Sequence, residues 1–168
     1  MELDIVHEIA ASLARVEAAV LGPALLQDLP RFAAGVARVR VLRRREDGDR
    51  IEREAVYTAA FIPAPLSAVI PRAWTTWIEH TEWDLRGHAA RFRVEPQLPA
   101  ALRRRVRCCG DYRLRALTAD RTGRRITGVL EIFAPGVGRR AEAVLARVIA
   151  QQFAGEAALL AVLTRGPT

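Results

Sequence analysis

The chain has 168 residues, 51% of them hydrophobic and 27% charged, with a formal net charge of +7. That length favours one domain, and the balance of apolar and charged residues excludes a disordered or fibrous architecture and removes any need for a disulfide or metal staple. All 26 basic residues are Arg. A codon-level bias towards Arg raises basicity everywhere without building a binding face, so a nucleic-acid partner is disfavoured and the clusters at Arg43 to Arg45, Arg103 to Arg107 and Arg124 to Arg125 read as solvated charges near turns and strand ends.

The opening segment sets Leu3, Ile5, His7 and Ile9 against Asp4, Val6 and Glu8, the period-two pattern of a half-buried strand. Its acidic residues carry the wrong charge for the start of a signal peptide, which points to the cytoplasm. Ser12 supplies an N-cap for a short helix through Leu21, striped by Leu13, Val16 and Val20 and stopped by Gly22 and Pro23; a second helical piece runs from Ala24 to Phe32. Val36, Val39 and Val41 then alternate with arginines, and after Glu46-Asp47-Gly48-Asp49 the pattern resumes over Ile51 to Phe61. The Asp-Gly step marks a hairpin turn.

Pro63 and Pro65 end that third strand, and Ala64 to Ala73 reads as an apolar loop with at most a helical turn. Trp74 to Leu85 is a fourth strand, Gly87 and His88 a turn, and Ala89 to Glu95 a fifth strand that Pro96 and Pro99 break. Arg105 to Leu117 and Arg125 to Phe133, joined by a turn at Asp120 to Gly123, bring the strands to about seven. Cys108 and Cys109 are neighbours on one strand and point to opposite faces, so they read as two reduced thiols rather than a bridge.

From Gly138 to Thr164 the pattern is helical, with Ala141, Val144, Leu145, Val148, Gln152, Leu159 and Leu163 on one stripe. About 25 residues span roughly 38 Å. Arg147, Gln151, Gln152 and Glu156 interrupt the apolar run, and a transmembrane span is excluded on that ground. Gly155, in mid-helix, costs about 1 kcal/mol against Ala and is either a point of close backbone approach or a tolerated weak spot.

Hairpin-linked strands demand an antiparallel sheet, and the long final helix alone has enough apolar surface to cover it. The expected fold class is therefore α+β, a curved sheet wrapped on that helix with the two short helices closing one end. A cavity for a small apolar molecule follows from the curvature.

The run His7-Glu8-Ile9-Ala10-Ala11-Ser12, strand into capped helix, resembles the opening of START-like (SRPBCC) proteins, and Gly110-Asp111-Tyr112-Arg113-Leu114 is similar to the late strand of one branch. With the terminal helix, the likeness covers nearly the whole chain and lies nearest an uncharacterised bacterial family of about this length. The resemblance implies the helix-grip fold and the binding or carriage of a lipid-like or polyketide-like molecule in a central pocket. It leaves two alternatives open: a cyclase- or hydratase-type enzyme acting on such a ligand, and an interaction module with a filled core.

The cavity candidates are Tyr57, Phe61, Trp77, His80, Glu82, Trp83, Phe92, Tyr112, Val148 and Gln152. Trp77 and Trp83 share strand parity with Glu79 and Thr81, and either line a pocket or pack in the core. His80 and Glu82 lie two apart, a spacing that sets an imidazole beside a carboxylate for proton transfer or forms a plain surface pair. A third ligand at metal-binding spacing is missing from the sequence, and no cofactor is expected. His7 and His88 are isolated. Neither Ser12 nor Ser67 sits in a Gly-x-Ser-x-Gly setting, and Gly136-Val137-Gly138 lacks the lysine of a phosphate loop. Leu66, Val69, Ile70 and Trp74 are expected at the pocket mouth, as an apolar lid, a dimer contact or, with Arg72, a transient contact with an anionic membrane surface. The oligomeric state stays open.

Overall fold

Three hairpins and one returning strand account for the sheet. In the computed structural model, which describes residues 1–63, 75–136 and 138–165, the strands are β1 (Glu2–Ile9), β2 (Val36–Asp47), β3 (Arg50–Ala59), β4 (Thr76–Asp84), β5 (Ala89–Pro96), β6 (Val106–Thr118) and β7 (Arg121–Ile132). They pair antiparallel in the order β1-β7-β6-β5-β4-β3-β2, so the first strand closes against the last. The helices are α1 (Leu13–Leu21), α2 (Pro23–Phe32), the single turn α3 (Ala100–Arg103) and α4 (Gly138–Leu163). This is the expected α+β helix-grip arrangement: a seven-stranded sheet, a pair of short helices after β1 and a long terminal helix across the inner face. The expected mouth residues Leu66, Val69, Ile70 and Trp74 lie outside the described residues.

Strand parity decides which side chains meet the helices. Ile51, Arg53, Ala55 and Tyr57 of β3 stand opposite Trp83, Thr81, Glu79 and Trp77 of β4 on the inner face, and Ala90 and Phe92 of β5 stand opposite Tyr112 and Gly110 of β6. The core joins this face to the helices through Val16 and Val20 of α1, Leu25, Leu26 and Leu29 of α2, Leu159 and Leu160 of α4, and Ile9, Leu114 and Ile126 of the sheet. A satellite cluster of Leu3, Cys108 and Leu130 packs under Leu145 and Ile149 of α4.

Two glycine sites set the close approaches. Gly110 and Gly128 face each other across β6 and β7, where a Cβ on Gly110 would stand 2.9 Å from the Phe92 ring and one on Gly128 3.1 Å from the Gly110 Cα. The space lets the Phe92 ring settle on the sheet. In α4, a Cβ on Gly155 would meet the Phe32 carbonyl and stand 2.9 Å from Ala33 Cα, so of the two readings of this glycine the structure selects close backbone approach of α4 to the end of α2.

Several expectations need correction. The β6–β7 hairpin is tighter than Asp120 to Gly123: Arg121 already pairs with Thr118, while Thr118 Oγ1 and Asp120 Oδ1 share a 2.6 Å hydrogen bond in the turn. Thr122 and Arg124 consequently fall on the inner face, and Arg124 is fully buried rather than solvated. Ser12 occupies the N-cap of α1 with extended backbone, but its side chain makes no capping hydrogen bond. The fifth strand ends at Pro96 as expected, and Pro99 stands at the N-cap of α3. Among the described residues α4 is long and apolar enough to cross a membrane, with a mean hydropathy of 1.2 over an 18-residue window, so interrupting charges do not exclude a span by themselves. What places α4 in the fold is its packing: Ala141, Glu156, Leu159 and Leu160 are buried against the sheet and the short helices.

Candidate functional site: a polar interior beneath the terminal helix

Between the inner face of β3 to β6 and the second half of α4 lies a cavity of about 30 Å³, room for one or two water molecules. Its walls are Val20 of α1, Leu25 and Leu26 of α2, Arg53 and Tyr57 of β3, Glu79, Thr81 and Trp83 of β4, Phe92 of β5, Tyr112 of β6, and Gln152, Phe153 and Glu156 of α4. The expected space is present, smaller than the curvature argument suggests and more polar.

The polar groups form two clusters. In one, the Tyr57 hydroxyl donates to Glu79 Oε1 at 3.3 Å, the Thr81 hydroxyl donates to the same oxygen at 3.2 Å, and Arg53 Nη1 reaches the Val20 carbonyl at 3.4 Å. In the other, Arg124 Nη1 donates to Glu156 Oε1 at 3.1 Å and Nη2 to the Phe153 carbonyl at 2.9 Å. The Arg124 guanidinium lies 5.3 Å from the Tyr112 ring centre and 5.5 Å from that of Phe153, a cation–π seat that fixes all three side chains. Trp83 meets Tyr112 edge-on at 5.0 Å, and Tyr57 stacks on Trp77 at 5.3 Å.

Burial dominates the protonation of this interior. It pushes the Glu79 carboxyl above its ordinary value, helped by the Glu156 charge and opposed by Arg53. Burial likewise raises the Tyr57 and Tyr112 phenols, which keep their protons; that of Tyr57 is donated to Glu79. The Cys108 thiol is pushed up to about 12, chiefly by burial, and is chemically quiet. His7 stands opposite Arg124 in the β1–β7 pairing; burial and then the Arg124 charge lower its pKa and favour the neutral ring. It is therefore not isolated, and neither is His88, whose Nδ1 lies 2.8 Å from Glu17 of α1.

Of the residues singled out from sequence, Tyr57, Trp83, Phe92, Tyr112 and Gln152 are brought together on the cavity wall. Trp77 lies one strand pair beyond it, on Tyr57. Val148 faces the connection between α2 and β2, where a Cβ on Gly35 would stand 3.4 Å from its Cγ1. Phe61 is 49% exposed beyond the end of β3. His80 and Glu82 belong to the opposite face of β4: His80 lies 3.5 Å from Glu54 and 3.6 Å from Glu95, and Glu82 is exposed. A proton-transfer pair facing the interior is excluded for these two by the pleat that puts Trp83 inside. Among the described residues no group of three or more His, Cys, Asp or Glu side chains is placed to hold a metal.

Sequence reasoning missed Arg53, Arg124 and Glu156. Each had a signal. Arg53 is in phase with Ile51, Ala55 and Tyr57, Arg124 with Ile126 and Leu130, and Glu156 lies one helical turn from Gln152 and from Leu159. A charge in the apolar phase of an element is a buried charge, and a buried charge needs a partner on another element.

The family model described as protein of unknown function (DUF2505) matches residues 4–162. No curated protein matches the chain. Among solved structures, the chain is similar to the Zhui aromatase/cyclase from Streptomyces sp. R1128, at 16% identity and a TM-score of 0.70, covering 99% of this chain and 96% of that one. It is similar to norcoclaurine synthase from Thalictrum flavum in complex with dopamine and hydroxybenzaldehyde, at 14% identity and a TM-score of 0.63, covering 100% and 89%. A START superfamily protein from Mycobacterium smegmatis matches at 14% identity and a TM-score of 0.53, covering 97% and 99%. At these identities the likeness is one of fold.

Proposed function

Because the chain belongs to the DUF2505 family and carries the START-like helix-grip fold, we propose that it binds and carries a hydrophobic small molecule, lipid-like or polyketide-like in its apolar body, between the sheet and α4. The observation that carries this reading is the cavity beneath α4, in which Leu25, Leu26, Phe92 and Phe153 surround a small set of polar groups. In this reading Tyr57, Trp83, Phe92, Tyr112 and Gln152 touch the ligand. A space of about 30 Å³ holds no organic molecule, so this reading requires the cavity to widen when the ligand enters. The likeness to proteins described as an aromatase/cyclase and as a synthase in complex with two small molecules supports small-molecule binding by this fold.

A second reading, an enzyme of the cyclase or hydratase kind, is favoured by Glu79. Its carboxyl faces the cavity, is held by two hydroxyl donors and is biased by burial towards the protonated form, as a general acid needs. Native mass spectrometry of the purified protein tests both: a carrier shows an added small-molecule mass that organic extraction removes and that rebinds unchanged, while an enzyme returns it altered. A protein that carries no such mass, and whose melting temperature no apolar compound raises, would overturn the proposal.

A further inference from the structure

The wholly buried, unpaired polar atoms of the cavity-wall residues are all ones that can donate. Trp83, Arg53 and Tyr112 are 3%, 8% and 6% exposed; Trp83 Nε1 and Arg53 Nε find no hydrogen-bond partner among the described residues, and the Tyr112 hydroxyl, whose oxygen the Arg124 guanidinium approaches as a donor, keeps its own hydrogen unused. An indole N–H and a guanidinium Nε–H can only donate, and a phenol donates through its single hydrogen. Arg124 Nε, behind Tyr112, is in the same condition. Both carboxylates, by contrast, already accept: Glu79 from Tyr57 and Thr81, Glu156 from Arg124. Buried donors without acceptors carry a desolvation penalty that native interiors rarely leave standing. Three of them around one cavity describe the complement of a missing acceptor. Charge points the same way: Glu156 balances Arg124, whereas Arg53 is always cationic while burial favours the neutral form of Glu79.

Resting on the binding function above, we propose that the cavity selects molecules by a hydrogen-bond-accepting oxygen, either the carbonyl of a ketone or aldehyde or the charged oxygen of a carboxylate, seated against Trp83, Tyr112 and Arg53. The apolar body of the molecule lies towards Leu25, Leu26 and Phe92. Lipid-like bulk is then the secondary determinant, and an oxygen of the right geometry the primary one.

Four single-ring probes of similar size separate the outcomes: acetophenone, benzoate, ethylbenzene and benzylamine. Each is titrated into isotope-labelled protein while the indole N–H resonances are followed by NMR, that of Trp83 identified by elimination with Trp74→Phe and Trp77→Phe. Acetophenone or benzoate is expected to bind about tenfold more tightly than ethylbenzene and to move the Trp83 indole proton downfield, with benzylamine the weakest. Whichever of the two binds better names the oxygen as carbonyl or carboxylate. Tyr112→Phe keeps the ring that meets Trp83 and removes only the hydroxyl; it should cut the preference for the oxygen probe over ethylbenzene several-fold. Equal affinity for ethylbenzene and the oxygen probes, or preference for benzylamine, would overturn the acceptor rule while the binding function stands. If none of the four binds at millimolar concentration, the acceptor rule is overturned as well, and the binding function rests on the mass-spectrometric test above.

Discussion

Arg124 of β7 and Glu156 of α4 form a 3.1 Å ion pair at the heart of the contact between sheet and helix, the guanidinium wholly buried and the Glu156 side chain 11% exposed. Two elements that share no backbone hydrogen bonds are thereby pinned by charge, and the pinning is conditional: each ion is tolerable inside only because the other is there.

Removing one partner should therefore cost far more than removing both. Arg124→Met and Glu156→Gln are each expected to destabilise the protein by about 3–5 kcal/mol, while the double replacement Arg124→Met with Glu156→Leu recovers most of the loss. Urea denaturation at neutral pH measures all three. Single variants within about 1 kcal/mol of wild type would show that water reaches the pair and that it does not organise the core.

How much of this was legible in the sequence differs by element. The strands and the long helix followed from periodicity, because an inner face of Ile, Val and Leu repeats at two or 3.6 residues whatever else the chain does. Gln152, Trp83 and Tyr112 were found the same way. Arg124 was not, since it sits beside Arg125 near a turn and looks like half of a solvated pair; only its register against Leu114, two places from Ile126, turns it inward. His80 and Glu82 failed for the mirror-image reason. Their spacing was attractive, yet a strand that puts Trp83 inside must put its neighbours outside.

Gly155 offers a second prediction, with opposing terms of known size. Replacing a mid-helix glycine by alanine ordinarily gains about 1 kcal/mol of helix propensity. Here the new Cβ would press on the Phe32 carbonyl and stand 2.9 Å from Ala33 Cα, both backbone atoms that cannot rotate away. The α2–α4 contact must open, at a cost of about 1–3 kcal/mol that offsets the propensity gain or exceeds it. Gly155→Ala should therefore lower, or at best leave unchanged, the thermal midpoint. A clear rise would mean that the two helices do not approach as closely as described.

Glu79 gives the stability of the protein a pH dependence whose direction is fixed by burial. The carboxyl is raised above its ordinary 4.5 first by desolvation, against the pull of Arg53, so the folded chain holds this proton at pH values where the unfolded chain has released it. The stability associated with Glu79 is then complete below the unfolded value and is lost as pH rises through the folded one. Glu79→Gln keeps an oxygen to accept from Tyr57 and Thr81 but never ionises. Measured by urea denaturation from about pH 4 to pH 8, its stability relative to wild type should climb with pH and then level off. Groups that titrate identically in both proteins cancel from this difference. A difference flat across the range would show that Arg53 offsets the burial and the carboxyl titrates alike in folded and unfolded chains, and a falling one that Arg53 prevails; with either would go the case for Glu79 as an acid in the second functional reading.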